Sequence, residues 1–139
     1  MGHTQDPDDG ADDGAVLRMV TLTLVADQDY LALARTSAMH VAALLFLPLP
    51  RVNDLRLAVD EACTSFLQPA AARIRETLEL SYDRHPASLH VTVRARAPLG
   101  WPHRDELGWA MLASLVGEVR VRVRDGIGAL TLIEPLPTH

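Results

Sequence analysis

The sequence predicts an α+β domain, a two-layer sandwich whose mostly antiparallel sheet is covered on one face by helices. Three observations carry that reading. Segments of period-two hydrophobicity come in adjacent pairs joined by turn chemistry, not in strict alternation with helices. Other segments repeat at helical spacing. A chain of 139 residues, 48% apolar and 22% charged, can bury one real core and is short for two domains.

The elements follow in order. The opening MGHTQDPDDGADDGA holds Asp6, Asp8, Asp9, Asp12 and Asp13 with almost nothing apolar. Such a segment cannot offset its ordering entropy, so residues 1–14 are expected to be a disordered acidic tail before a domain spanning 15–139. It has neither the basic start nor the apolar run of a signal peptide. VLRMVTLTLV, residues 16–25, is rich in β-branched residues and reads as a strand. Asp27 or Asp29 can cap the helix that follows, where Leu31, Ala34, Ala38, Val41, Ala42 and Leu45 repeat at helical spacing. PLPRVN, residues 48–53, reads as a turn, with Asn53 as the cap of a second helix and Asp54 against its dipole. Leu55, Val59, Ala62, Cys63 and Phe66 form that helix's apolar stripe, and Pro69 ends or kinks it. ETLELSYD and SLHVTVRARA alternate with period two around RHPAS and predict a hairpin. PLGWPHRDE is a loop, and Glu106 to Gly117 a short helix stopped by its glycine. EVRVRVR and GALTLIE are strands joined by the tight-turn signal DGIG.

Composition narrows the function. All thirteen basic residues are arginine, and without lysine a P-loop is excluded. A net charge of -5 argues against nucleic acid as the main partner. The alternation in VRVRVRD is best read as an exposed strand face that resists edge pairing. The longest apolar run, HVAALLFLPLP, is too short to span a bilayer, and the single Cys63 allows no internal disulfide. A cytoplasmic protein without membrane attachment fits these facts. None of His3, His40, His85, His90, His103 and His139 has partners at metal-ligand spacing, and Cys63 falls on an apolar stripe, as a small buried hydrophobe. Glu61 and Ser65 are four apart and share a helix face. From spacing alone that face is a solvated flank at the rim of a helix–sheet cleft.

VNDLRLAVDEACTSFL adds a family resemblance. It resembles the N box of the GHKL (Bergerat-fold) ATPases, most closely that of the bacterial anti-sigma-factor serine kinases. The order of elements fits that family over roughly residues 16–134. The resemblance implies a homodimer that sequesters an alternative, stress- or development-type sigma factor. It also implies release by an anti-anti-sigma (STAS-type) protein, and in active members Mg-ATP-dependent phosphorylation of a serine on that protein. The family's general base falls on Glu61, its Mg²⁺-holding asparagine on Ser65 and a later histidine on Pro69. A hydroxyl is an oxygen donor but shorter than the Asn amide. In the G1 box the adenine-recognising aspartate falls on Ala95 and two glycines on Ala97 and Leu99, with Gly100 the survivor if the loop register shifts. Only Gly108 remains in the G2 region, where a helix N-terminus attracts phosphate. An arginine that contacts sigma and the anti-anti-sigma protein falls on Arg35, and an acidic position one turn earlier on Leu31. The chain thus resembles a degenerate, sigma-binding member whose Mg-ATP site is weak or lost, the alternative being an active serine kinase. In a closed site, Leu99 or Trp101 would fill the emptied pocket.

Overall fold

The computed structural model describes residues 15–68, 76–103 and 107–138. The acidic segment 1–14 and Pro69 lie outside these residues. Strand β1 (Leu17–Val25) leads through a 3₁₀ turn (Gln28–Tyr30) into helix α1 (Leu31–Leu44). Helix α2 (Leu49–Thr64) follows, then β2 (Thr77–Arg84), β3 (Ser88–Arg96), α3 (Leu107–Leu115), β4 (Glu118–Arg124) and β5 (Ile127–Pro135). The five strands form one sheet in the order β1-β2-β3-β5-β4, antiparallel at every pairing. The α+β reading holds, and the sheet is antiparallel throughout.

The helices share one core with one face of the sheet. Leu31, Val41, Leu55 and Val59 are buried with Leu78, Leu80, Val91, Val93, Leu130 and Leu132. All six positions of the helical repeat in α1, and all five of the stripe in α2, are buried. Asp27 caps the 3₁₀ turn, accepting from the Asp29 amide at 2.9 Å.

The start of α2 corrects the sequence reading. Residues 48–53 are not a turn, and Asn53 is not a cap but an exposed residue inside the helix. Pro48 caps it, and the amides of Arg51 and Val52 reach the Pro48 carbonyl at 2.8 and 3.0 Å. A proline in the first helical turn loses no hydrogen bond, because amides there have no intrahelical partner. The turn is confined to the end of α1, where Phe46 takes a left-handed φ of 59°. The Phe46 amide bonds to Ala43 O at 3.0 Å and the Leu47 amide to Ala42 O at 3.1 Å, the Schellman pattern normally built on glycine.

Two clamps hold α2 from its ends. Near its start, Arg51 grips the buried Glu134 of β5 with Nε and Nη2, at 2.7 and 2.5 Å. The same guanidinium reaches Asp54 at 3.0 Å and Leu115 O of α3 at 2.9 Å. The fork geometry of arginine suits this convergence. The other clamp is built at the far end, in the candidate site.

Candidate functional site

At the C-terminal end of α2, Glu61 and Ser65 line a cavity of about 290 Å³ together with His103, Gly108 and Trp109. Three residues singled out in the sequence, Glu61, Ser65 and Gly108, thus come together. Gly108 stands in the first turn of α3, so close to Glu61 that a Cβ there would overlap the Glu61 carboxylate. Glycine is what permits this approach. The carboxylate therefore sits at the N-terminal turn of α3, where the helix dipole favours negative charge. An anion from outside would have to share that place with Glu61.

Ser65 caps α2. Its Oγ donates to Ala62 O at 2.7 Å and accepts from Trp101 Nε1 at 3.0 Å. The donor proton and one of the two acceptor lone pairs are therefore taken by the protein itself. The Trp101 indole stacks on Phe66 with ring centroids 4.5 Å apart. Beneath both rings lies Gly128, where a Cβ would come 2.7 Å from Trp101 Cζ3 and 2.9 Å from Phe66 Cε1. Gly128 pairs with Ala95 across β3 and β5, so the indole lies over the Ala95–Gly128 pair. A small pocket of about 10 Å³, room for at most one water, lies between Ala95, Phe66 and Glu76.

The loop that delivers Trp101 is a tight turn. The Trp101 amide bonds to Pro98 O at 2.9 Å, and Gly100, at φ 80°, occupies the third position. That position of a type II turn favours glycine. The turn points Leu99 fully into solvent and leaves Trp101 6% exposed. Gly100 thereby acquires a role in aiming Trp101.

Arg35 lies outside the cavity, on α1 beside α2. Its Nη1 donates to Asp60 Oδ1 at 2.7 Å, and both side chains remain about one-third exposed. Asp60 is the neighbour of Glu61, so one helix turn carries a residue for the cavity and a residue that orients Arg35. Cys63, one turn further in, is buried, and burial together with Asp60 pushes its thiol up to about 12.

The model of the histidine kinase-like ATPase domain family matches residues 24–133. The chain belongs to this family. No curated protein matches the chain. Among solved structures, it is similar to the RsbU and RsbW domains of Rv1364c from Mycobacterium tuberculosis, with a TM-score of 0.66 and 18% identity. That similarity covers 85% of this chain and 33% of the other, so the chain spans about a third of that protein's length. At this identity the likeness is one of fold.

The match to this histidine kinase-like ATPase domain takes in Glu61 and Ser65, which line the cavity, and the Ala95–Gly128 pair of β3 and β5. Sequence reasoning missed two features around the cavity of this ATPase-family domain. Asp60 was overlooked as the partner of Arg35, because a pair 25 residues apart leaves no local pattern. Gly128 was read as part of a DGIG turn, whereas the turn is Asp125–Gly126 alone, with φ of 54° and 79°. A second glycine inside the following strand is a signal for close packing, and it was available. Among the described residues no helix is long and apolar enough to cross a membrane.

Proposed function

We propose that this ATPase-fold domain is an anti-sigma factor that works by binding. It sequesters an alternative sigma factor and releases it when an anti-anti-sigma protein competes. The observation that carries the reading is Trp101. Its indole, stacked on Phe66 and bonded to Ser65, lies over the Ala95–Gly128 pair, where the family resemblance puts adenine.

Mg-ATP does not fit the residues present. The Ala95 side chain offers no acceptor for an adenine amino group, and the Trp101 indole lies over the Ala95–Gly128 pair. The Ser65 hydroxyl is engaged by Ala62 O and Trp101. The Glu61 carboxylate already supplies negative charge at the first turn of α3.

Binding rests on other residues. Arg35, oriented by Asp60 and partly exposed, presents a guanidinium fork for a carboxylate on the partner. The family's homodimer is part of the same proposal, as are residues 15–139 acting as one domain. The alternative, a serine kinase with Glu61 as base, is favoured only by the opening of Glu61 onto the 290 Å³ cavity.

Affinity capture with purified sigma factors of the same cell tests the reading. A stable complex is expected, weakened about tenfold by Arg35→Ala, roughly 1.4 kcal/mol. Failure to capture any of these sigma factors at micromolar concentration would overturn it.

A further inference from the structure

In the proposed function Arg35 takes a carboxylate of the partner, and a single partly exposed ion pair contributes little affinity. The surface that continues from it is the groove between α1 and α2. The two helices run antiparallel, with Arg35 near the start of α1 bonded to Asp60 near the end of α2 and the chain turning back at Phe46. Along α1, Met39 follows Arg35 by one turn, and Phe46 stands just past the helix end, three turns on. Along α2, Leu49 and Asn53 precede Asp60 by three turns and two. The groove is thus charged at one end and apolar at the other, with eleven residues, about 16 Å, between Arg35 and Phe46.

The apolar end is exposed and strained. Phe46 is 79% exposed and Leu49, three residues on, 71%, with Met39 exposed between them and Arg35. Phe46 holds φ at 59°, where glycine would make the same turn without steric cost. A bulky side chain that fills no core and strains its own turn is of no use to the fold. Strain of this kind is stored at sites that bind something else, and an exposed apolar patch is the surface such contacts use. At the charged end, Asp60 takes one of the five donors that the Arg35 guanidinium carries, so the fork remains able to receive a second carboxylate.

We propose that this groove receives one amphipathic helix of the binding partner, with an acidic side chain on Arg35 and bulky apolar side chains on Met39, Phe46 and Leu49. This rests on the proposed function and names what the partner must carry. Eleven residues make three helical turns in the ligand as in α1. An Asp or Glu and an apolar residue eleven positions away therefore lie on one face and meet both ends of the groove at once. The carboxylate sets the orientation and the rate of encounter, and the apolar anchors supply most of the affinity.

Calorimetry of the intact chain with the purified sigma factor that it captures tests this through a set of variants. Phe46→Gly is the most direct, because it removes the ring while relieving φ, so the thermal midpoint rises and lost binding is not lost folding. The expected result is a weakening of about tenfold for Phe46→Gly and again for Leu49→Ser. Both losses persist in about 0.5 M NaCl, whereas the loss from Arg35→Ala shrinks there. The double variant Arg35→Ala/Phe46→Gly loses about a hundredfold, since residues this far apart act additively. Val123→Ser, at an exposed apolar residue of β4, leaves the affinity unchanged. Undiminished affinity in Phe46→Gly and Leu49→Ser overturns the proposal and leaves the proposed function standing. Absence of a complex with every sigma factor of the cell overturns both. Light scattering on the chain alone gives the remaining outcome: conversion of a dimer to a monomer by Phe46→Gly would make a second copy the occupant and overturn the proposal.

Discussion

The two ends of helix α2 are closed by opposite chemistry. At its start a bidentate ion pair, Arg51 on buried Glu134, joins α2, α3 and β5. At its far end a neutral cluster, Trp101, Phe66, Ser65 and Gly128, fills the space between helix and sheet. The charged clamp serves the scaffold, and the neutral one lies beside the cavity that Glu61 and Ser65 line. Only the second closure bears on the proposed function, which rests on the indole lying over the Ala95–Gly128 pair.

The largest effect expected is at the neutral end. Trp101→Ala removes a nearly buried ring and its hydrogen bond, and the expected cost is about 3–5 kcal/mol. Urea unfolding checks it, and a loss under about 1 kcal/mol would mean that the indole is not part of the core. At the charged end, Arg51→Ala leaves Glu134 buried without its fork, for about 3 kcal/mol. Adding Glu134→Gln should recover part of that loss, and absence of coupling in the double-mutant cycle would separate the two residues.

A pH titration sharpens the comparison. The Cys63 thiol is raised by burial and by Asp60 to about 12, against 9.0 for the ordinary group. The folded state holds this proton more tightly than the unfolded state. The stabilisation is therefore complete below pH 9 and is lost as pH climbs through about 12, at about 1.4 kcal/mol per unit. Cys63→Ala should flatten that alkaline decline, with Tyr82, also raised chiefly by burial, keeping part of the slope. An unchanged slope contradicts the burial argument. The smallest effect is Phe46→Gly. It relieves the left-handed φ of 59° before α2 and should stabilise the fold by about 1 kcal/mol in thermal melts.

Local patterns made most of the fold legible. Period-two runs gave the strands, and the helical repeats of α1 and α2 named residues that are all buried. The start of α2 was misread because PLP looks like a turn, although a first helical turn tolerates proline. The site was half legible. Glu61 and Ser65 were visible as a helix-spaced pair in a family motif, and Trp101 was named as one of two residues able to fill the pocket. Its alternative, Leu99, is turned outward by the Gly100 turn, a choice that depends on backbone conformation. The Arg51–Glu134 and Arg35–Asp60 pairs join residues 83 and 25 apart, and no periodicity encodes such distances.

The central claim is that Trp101 and Ser65 have closed the nucleotide site from within. Calorimetric titration of Mg-ATP into the intact chain tests it most directly. The account predicts no binding tighter than about 100 μM, roughly -5.5 kcal/mol. Saturable binding well below that concentration would contradict it and return Glu61 to the role of a catalytic base.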